Sequence, residues 1–160
     1  MALIEQAKPE DVDQVHRIAR EVFAVYGDYG KLLPRFFASQ GVTTYVARIG
    51  PEVVGFVMMG FMPWTGGGQE ENPWIGDLLA MGVDPARQGK GIGTELIRQA
   101  FELVAQMSEW RDIRQVQLTC AESNQQGLGF FARNGFKVID AQHGSYSSGQ
   151  AAMRLGRDFP

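Results

Sequence analysis

Three glycines at alternating positions, Gly89, Gly91 and Gly93, form the segment of this sequence with the clearest chemical meaning. Glycine has no Cβ atom, so a ligand can come close to the backbone there. The glycines precede a helical pattern, and the unpaired N–H groups at a helix N-terminus bind anions, phosphate above all. The segment therefore predicts a phosphate-binding turn, although an ordinary glycine-rich turn has a similar composition. Its members are Gln88, Gly89, Lys90, Gly91, Ile92 and Gly93.

Two common phosphate motifs do not fit this turn. The P-loop requires glycine at position 84 and serine or threonine at position 91, where this chain has Asp84 and Gly91. The dinucleotide-binding motif requires a third glycine at position 94 or 96, where the chain has Thr94 and Leu96. The ligand is therefore expected to be a phosphate compound of another class.

A second segment, residues 118–136, adds to the first. It places Leu118, Asn124, Phe130 and a final Gly135-Phe136 at fixed spacing. Together the two segments resemble the GNAT N-acetyltransferases, whose pyrophosphate loop reads Gln/Arg-x-x-Gly-x-Gly/Ala. The later signature of that family reads Leu-x-Val-x-x-x-Asn-x-x-Ala-x-x-Phe-Tyr-x-x-x-Gly-Phe. The chain departs from it at three positions, with Cys120 for Val, Gly127 for Ala and Phe131 for Tyr.

The resemblance covers nearly the whole chain, and it implies an α/β fold. That fold has a mixed, mostly antiparallel central sheet with splayed central strands, flanked by about four helices. It also implies acetyl-CoA as cosubstrate, lying between the strand that ends at Val83 and the strand that ends at Cys120. The resemblance assigns the following contacts: the strand end Met81, Gly82 and Val83 to the pantetheine arm, residues 88–93 to the pyrophosphate, Asn124 to the middle of the arm, and Phe131 to the same site.

The implied reaction is attack of a neutral amine on a thioester, which needs a base. Asp77 is the candidate that the resemblance implies, because it lies six residues before Val83 on one predicted strand, similar to the offset of the acid in the lysine-acetylating branch of the family. A solvent-exposed carboxylate at a strand edge or an acid in a turn is the alternative. The N–H of Val83 is the candidate donor to the developing oxyanion. Phe131 lacks the hydroxyl that protonates the leaving thiolate in the family, and Tyr146 is the candidate substitute, with a surface or packing tyrosine as the alternative.

The acceptor is expected to be a primary amine, on a small molecule, an amino acid or a protein. The residues around Tyr26, Trp64 and Tyr146 carry no motif that selects among them. Trp64 and Trp74 are candidates for pocket walls or for core packing. The remaining reactive side chains are interpreted as solvated or structural: Glu70, Glu71, His16, His143 and Cys120. A non-catalytic acyl-CoA-binding module on the same fold stays open, because Tyr is missing at position 131.

Hydrophobic periodicity places these residues on the following elements. Strands are predicted over residues 3–6, 43–48, 53–62, 74–83, 113–120, 136–140 and 151–155. Helices are predicted from Pro9-Glu10-Asp11 through Phe23, over 32–39, over 91–107 and over 124–134, with Gly135 ending the last. Residues 63–73 and the stretch through His143, Ser145 and Tyr146 are predicted loops.

Composition is that of an ordinary soluble domain. The 160 residues are 44% hydrophobic and 21% charged, which predicts one domain over residues 1–160. The net charge of −3 gives no basic surface for nucleic acid. No signal pattern or membrane-length apolar run is present, and a single cysteine excludes an internal disulfide, so a cytoplasmic location is expected. Two distant histidines and one cysteine predict no metal site. The oligomeric state is open, a homodimer included.

Overall fold

The structure of the chain, a computed structural model, describes residues 1–24, 37, 39–64, 73–146 and 148–159. The predicted helix over 32–39 falls almost wholly outside these ranges, as do Tyr26, Glu70 and Glu71. The described elements, in chain order, are β1 (Leu3–Gln6), a 3-10 turn (Pro9–Asp11), α1 (Val12–Phe23), β2 (Thr43–Ile49), β3 (Glu52–Pro63), β4 (Trp74–Val83), a 3-10 turn (Pro85–Arg87), α2 (Ile92–Met107), β5 (Ile113–Ala121), α3 (Gln125–Arg133), β6 (Lys137–Ser145) and β7 (Ala151–Asp158).

The strands form one mixed sheet in the order β1-β2-β3-β4-β5-β7-β6. Every neighbouring pair is antiparallel except β4 and β5, which run parallel and are joined by α2. A parallel pair needs a long crossover, and α2 supplies it. The predicted mixed, mostly antiparallel sheet is therefore confirmed.

The two central strands separate after a short paired stretch. The β4–β5 register runs from Trp74 opposite Ile113 to Leu78 opposite Leu118, and it ends there although both strands continue. At the same level the β3–β4 register shifts, so that Leu79 is an extra residue in β4. Such a bulge bends a strand and increases its twist. The predicted splay of the central strands is confirmed, and the bulge gives its local cause.

Each face of the sheet is covered by a helix that buries its apolar stripe. On α1, Val15, Ile18 and Ala19 are buried against β3 and β4, as the helical spacing predicts. The inward residues predicted for α2 are all buried on the opposite face of the sheet. They are Ile92, Leu96, Ala100, Leu103 and Val104. None of the helices in the described ranges has the length and apolar character that crossing a bilayer requires.

The C-terminal strands are longer than predicted. His143 and Ser145, expected in a loop, lie in β6, so that prediction is wrong. All nine residues of β6 are exposed. Because neither face of this strand is buried, its sequence needs no alternation of apolar and polar residues, and none marks it as a strand. Two register shifts against β7 accommodate the extra residues of the segment. Only long-range pairing with β7 determines its conformation.

Candidate active site

A cavity of about 660 Å³ opens where β4 and β5 diverge. Its wall combines the ends of both strands, the turn before α2, the start of α3 and the C-terminal end of α1. Most of the residues predicted for the site line it together: Met81, Gly82, Val83, Gln88, Gly89, Gly91, Ile92, Gly93, Asn124, Phe131 and Tyr146. Two predicted residues, Asp77 and Lys90, are not part of this lining.

The backbone at the end of β4 faces the gap. The Asp84 N–H donates to the Val54 carbonyl at 2.8 Å, which makes that position a hydrogen-bonded pair of the antiparallel β3–β4 ladder. Hydrogen-bonded and non-bonded pairs alternate along such a ladder. The peptide groups of Met81 and Val83 therefore point away from β3, towards the gap. The Val83 carbonyl accepts from Gln88 Nε2 at 3.1 Å, whereas its N–H points into the gap.

The glycine turn prepares the N-terminus of α2. Gly91 is the N-cap residue with φ of 82°, a left-handed conformation that side chains disfavour. A Cβ atom built at Gly91 would meet no protein atom within 4 Å. Packing therefore does not require glycine here; the backbone angle and the open space for a ligand do. The first N–H groups of the helix, which lack intrahelical partners, are positioned to bind an anion.

The wall of the cavity next to this turn also carries positive charge, and part of it was missed from the sequence. Arg87 and Arg133 both line the cavity. The Arg87 guanidinium also lies 3.6 Å from the Glu52 carboxylate. Arg133 belongs to the last turn of α3, distant in sequence from the glycine turn, and no local motif marks it. Lys90 lies within the turn but outside the cavity wall.

Asn124 both caps α3 and lines the cavity. Its side-chain Oδ1 accepts from the Gly127 N–H at 2.9 Å. A Cβ atom at Gly127 would lie 2.4 Å from Asn124 Nδ2, closer than atoms can pack. The departure from alanine at this position is therefore explained by the Asn124 amide, which packs directly over Gly127.

Phe131 and Tyr146 border the same cavity from different elements. The Phe131 ring packs edge-on against Phe136, with 5.7 Å between ring centroids. Tyr146 follows β6, and its backbone is held by a turn in which its N–H donates to Gln150 and its carbonyl accepts from Gly149. Tyr146 is thus a lining residue of the cavity, in which position 131 supplies no hydroxyl.

Asp77 and its neighbour Leu78 point to opposite faces of the sheet, and both are buried. Its Oδ1 lies 3.3 Å from Arg154 Nη1, and both side chains are largely shielded from water. Burial raises the pKa of Asp77 above its ordinary value, against the opposing charges of Arg154 and His143. The alternative of a solvent-exposed carboxylate at a strand edge is therefore wrong, since β4 is a central strand and Asp77 is only 8% exposed.

Arg154 connects Asp77 to the cavity, and sequence reasoning missed it. Its Nε donates to Gln117 Oε1 at 3.0 Å and its Nη1 donates to Thr119 Oγ1 at 3.0 Å. Thr119 lines the cavity. The polar side chains of Asp77, Gln117, Thr119 and Arg154 thus form a row across β4, β5 and β7, which we call the polar row.

The other candidate reactive residues are inert or lie elsewhere. Cys120 lines the cavity but is buried, and burial raises the pKa of its thiol to about 11, so it is not a thiolate at neutral pH. Trp74 packs against the core, with Arg111 stacked 4.7 Å above its ring. Neither it nor Trp64 lines this cavity, so a role of the two tryptophans in an acceptor pocket stays a prediction. His16 is on α1 and also lies outside the cavity wall.

Comparison with known proteins agrees with this geometry. The model of the Acetyltransferase (GNAT) family matches residues 12–136. Aminoglycoside N(6')-acetyltransferase type 1 from Klebsiella pneumoniae is 26% identical over 108 residues, 66% of this chain and 52% of that protein. The matched stretch spans about half the length of this curated relative.

Solved structures show the same fold at low sequence identity. Arabidopsis thaliana NAA60 in complex with acetyl-CoA superposes with a TM-score of 0.78 and 15% identity, over 99% of both chains. The PaiA N-acetyltransferase from Thermoplasma acidophilum, in complex with coenzyme A, superposes with a TM-score of 0.74 and 17% identity, also over 99% of both chains.

Proposed function

Since the chain belongs to the Acetyltransferase (GNAT) family, we propose that it transfers an acetyl group from acetyl-CoA to a primary amine. The observation that carries the proposal is the cavity between the ends of β4 and β5, where outward-facing peptide groups meet a glycine-rich helix N-terminus. Acetyl-CoA combines phosphates with an extended arm that contains amides, so it needs both features at once. Two solved neighbours carry acetyl-CoA and coenzyme A.

In this proposal each part of the cosubstrate has its own partner. The pantetheine arm pairs with the peptide groups of Met81 and Val83, as an added strand would. The pyrophosphate lies on the turn of residues 88–93, at the N-terminus of α2, with Arg133 nearby to balance its charge. Asn124 reaches the arm through Nδ2, because its Oδ1 is used by the helix cap.

The chemistry begins with removal of a proton from the amine. An alkyl amine with a pKa of about 10.4 is only about one part in a thousand neutral near pH 7. Asp77 accepts this proton through water, because its carboxylate does not border the cavity, and its raised pKa makes it a better acceptor than an exposed carboxylate. The neutral nitrogen attacks the thioester carbon, and the Val83 N–H stabilises the negative oxygen.

The second half of the reaction releases coenzyme A. The tetrahedral intermediate collapses, the C–S bond breaks and the sulfur leaves as a thiolate, for which a pKa near 8.5 is expected by analogy with cysteine. The nitrogen loses its extra proton to water as the amide forms, and this proton restores the Tyr146 phenol after Tyr146 has protonated the sulfur. Tyr146 gives that sulfur its proton in our scheme, since it lines the cavity and Phe131 has no hydroxyl. We expect Tyr146→Phe to slow turnover and Phe131→Tyr to restore part of it in the double variant. Additive effects in this cycle would contradict the assignment.

Gly91→Val tests cosubstrate binding, and the chain offers a matched control. Gly41 has the same φ of 82° as Gly91, and a Cβ atom at either would meet no protein atom within 4 Å. The backbone strain of Gly91→Val and Gly41→Val is therefore comparable, but only Gly91 lines the cavity. Titration calorimetry with acetyl-CoA should show loss of binding in Gly91→Val alone. Equal affinity in the two variants would remove the proposed binding mode.

Release of coenzyme A in the presence of different amines tests the transfer itself. The panel contains a small alkyl amine, an aminoglycoside, free amino acids and a lysine-containing peptide. The aminoglycoside is included because the Klebsiella pneumoniae relative is an aminoglycoside acetyltransferase. Amine-dependent release is expected for at least one class. Tight acetyl-CoA binding without release for any acceptor would indicate the second candidate, an acyl-CoA-binding module, which the missing tyrosine at position 131 favours.

A further inference from the structure

The polar row carries information about the acceptor as well as about the base. Asp77 and Arg154 come from different strands, and their charged atoms lie 3.3 Å apart with side-chain exposures of 11% and 14%. Neither Asp77 nor Arg154 lines the cavity itself, and the row reaches the cavity at Thr119, one residue beyond the last β4–β5 pair. An acceptor amine in the cavity therefore approaches the row at the point where the strands diverge.

Both charged groups keep binding capacity that the protein does not use. Arg154 donates through Nε to Gln117 and through Nη1 to Thr119, and its Nη2 donates to none of the residues that the structure describes. Within the same described ranges the one close partner of Asp77 is Arg154, whose Nη1 lies 3.3 Å from Asp77 Oδ1. Nη2 is not among the buried unpartnered side-chain atoms of the described residues, so it is accessible to water and to a ligand. A ligand with complementary groups would use it.

Charge balance restricts what that ligand can be. The pair of Asp77 and Arg154 is neutral as a whole. An acceptor that brings only an ammonium group to Asp77 leaves the Arg154 charge without a counterion in a site shielded from water, which is costly. Protonation of Asp77 during the reaction has the same consequence. An acceptor with its own carboxylate next to the amine compensates Arg154 in both cases.

We propose that the acceptor is a free amino acid or a similar zwitterion, whose amine is directed towards Asp77 and whose carboxylate binds Arg154. This inference rests on the proposed function and narrows its acceptor class. The carboxylate accepts from Arg154 Nη2, and Thr119 stands at the entrance to the pair. In this role Arg154 determines specificity rather than taking part in proton transfer.

A substrate series tests the carboxylate without changing the protein. Coenzyme A release is measured with the twenty amino acids, and then with the carboxamide and the decarboxylated amine of the best one. We expect kcat/KM to fall roughly 10- to 100-fold when the carboxylate is removed, the range for a hydrogen bond to a charged group. The carboxamide is informative because its amine, like a chain N-terminus, has a pKa of about 7.7–8.0. More of it is neutral, so a preference for the acid cannot come from amine basicity.

Arg154→Gln and Arg154→Lys locate the contact on the protein. The preference for acid over carboxamide should disappear in Arg154→Gln and persist in part in Arg154→Lys, which keeps the charge. Loss of Arg154 also removes a charge that opposes the raised pKa of Asp77, but this affects both substrates equally and cancels in their ratio. Acetyl-CoA affinity and melting temperature serve as checks on folding. A preference unchanged in Arg154→Gln overturns the assignment.

The outcomes of these experiments distinguish the zwitterion inference from the acetyltransferase proposal on which it rests. If an aminoglycoside, an alkyl amine or a lysine peptide supports release and no amino acid does, the zwitterion inference is wrong and the acetyltransferase proposal stands. If no acceptor of any class supports release, both are wrong. If the amino acid and its carboxamide react equally well in the wild-type protein, Arg154 does not bind the carboxylate of the acceptor and the inference is wrong. This result holds even if both Arg154 variants fail to fold.

Discussion

Two buried carboxylates in this protein each face an arginine, Asp11 beside Arg48 and Asp77 beside Arg154, yet their pKa values move in opposite directions. Burial acts to raise the pKa of both. For Asp11 the effect is overcome, because Oδ2 accepts from Arg48 Nη2 at 2.8 Å and from the Lys8 N–H at 2.9 Å. For Asp77 it is not overcome, because its one close partner among the described residues is Arg154, whose Nη1 stands 3.3 Å away and also donates to Thr119.

The difference between the pKa shifts of the two carboxylates corresponds to their locations relative to the cavity. Arg48 also holds Glu5 at 2.7 Å, so this cluster joins β1, β2 and the turn before α1, away from the cavity wall. Strong hydrogen bonds make Asp11 a poor base and a good structural connection. Asp77 lies beside the gap, is held less tightly and keeps affinity for a proton. The same two residue types thus serve either stability or reactivity, depending on how many hydrogen bonds the carboxylate receives.

The largest expected difference between the two clusters is in turnover. Asp77→Asn should lower turnover by about 10²–10⁴-fold at neutral pH with acetyl-CoA affinity retained, the range for a positioned base. The loss should shrink at high pH, where more of the amine is already neutral. Asp11→Asn is the control, and its turnover should stay at the wild-type value. Steady-state kinetics over pH 6–9 measure both; wild-type turnover in Asp77→Asn across that range would end the base assignment.

Stability should show the reverse order. Asp11→Asn removes the acceptor for Arg48 and for the Lys8 N–H, so we expect the free energy of unfolding to fall by about 2–3 kcal/mol. Asp77→Asn leaves Arg154 without its counterion, but this loss is offset in part because burial already disfavours the ionised form of Asp77, so the net decrease should be smaller. Urea denaturation of both variants decides this. A larger loss in Asp77→Asn would mean that Asp77 is mainly structural.

Asn124 extends the comparison, because its one side chain both stabilises the fold as a helix cap and, in our proposal, binds acetyl-CoA. Asn124→Ala should lower the free energy of unfolding by about 1 kcal/mol, the usual effect of losing an N-cap. It should also weaken acetyl-CoA binding. Asn124→Asp keeps an oxygen for the Gly127 N–H but loses the Nδ2 donor, so stability should be preserved and affinity reduced. Thermal melts and titration calorimetry separate the roles, and unchanged affinity in both variants would leave Asn124 as a cap only.

The smallest expected effect is in the pH dependence of stability, where the two carboxylates should have opposite signs. The pKa of Asp11 is below its ordinary value of 3.8 in the fold, so its contribution is present above that value and is lost as pH falls through the folded pKa. The pKa of Asp77 is raised, so its contribution is largest in acid below 3.8 and declines as pH rises through the folded pKa.

Melting curves between pH 3 and pH 7 measure this contrast. The stability advantage of the wild-type protein over Asp11→Asn should narrow as the solution becomes more acidic. Relative to Asp77→Asn, the wild-type protein should instead gain stability in acid. Parallel changes in the two comparisons would show that the carboxylates are not in different electrostatic states.

Much of the fold could be predicted because its signals are local. The bounds of β1 and β4 match the prediction, and α2 begins one residue after the predicted Gly91, which caps it. Apolar residues at helical spacing must share a face, and a glycine with left-handed φ at a helix start follows from its missing side chain. β6 could not be delimited, because its exposed residues carry no alternation and only pairing with β7 holds them.

For the site, the sequence by itself determined the glycine turn, because residue types and spacing in that short segment restrict the backbone directly. Two such segments carried the resemblance to the GNAT family, and the resemblance in turn predicted the role of the strand end at Val83. Only the tertiary structure decided that Arg154 stands beside Asp77, that Arg133 lines the same cavity as the glycine turn and that Tyr146 lines it with Phe131. Each of these contacts joins residues that are distant in the chain, and their approach depends on strand order, on the bulge at Leu79 and on the divergence of β4 and β5.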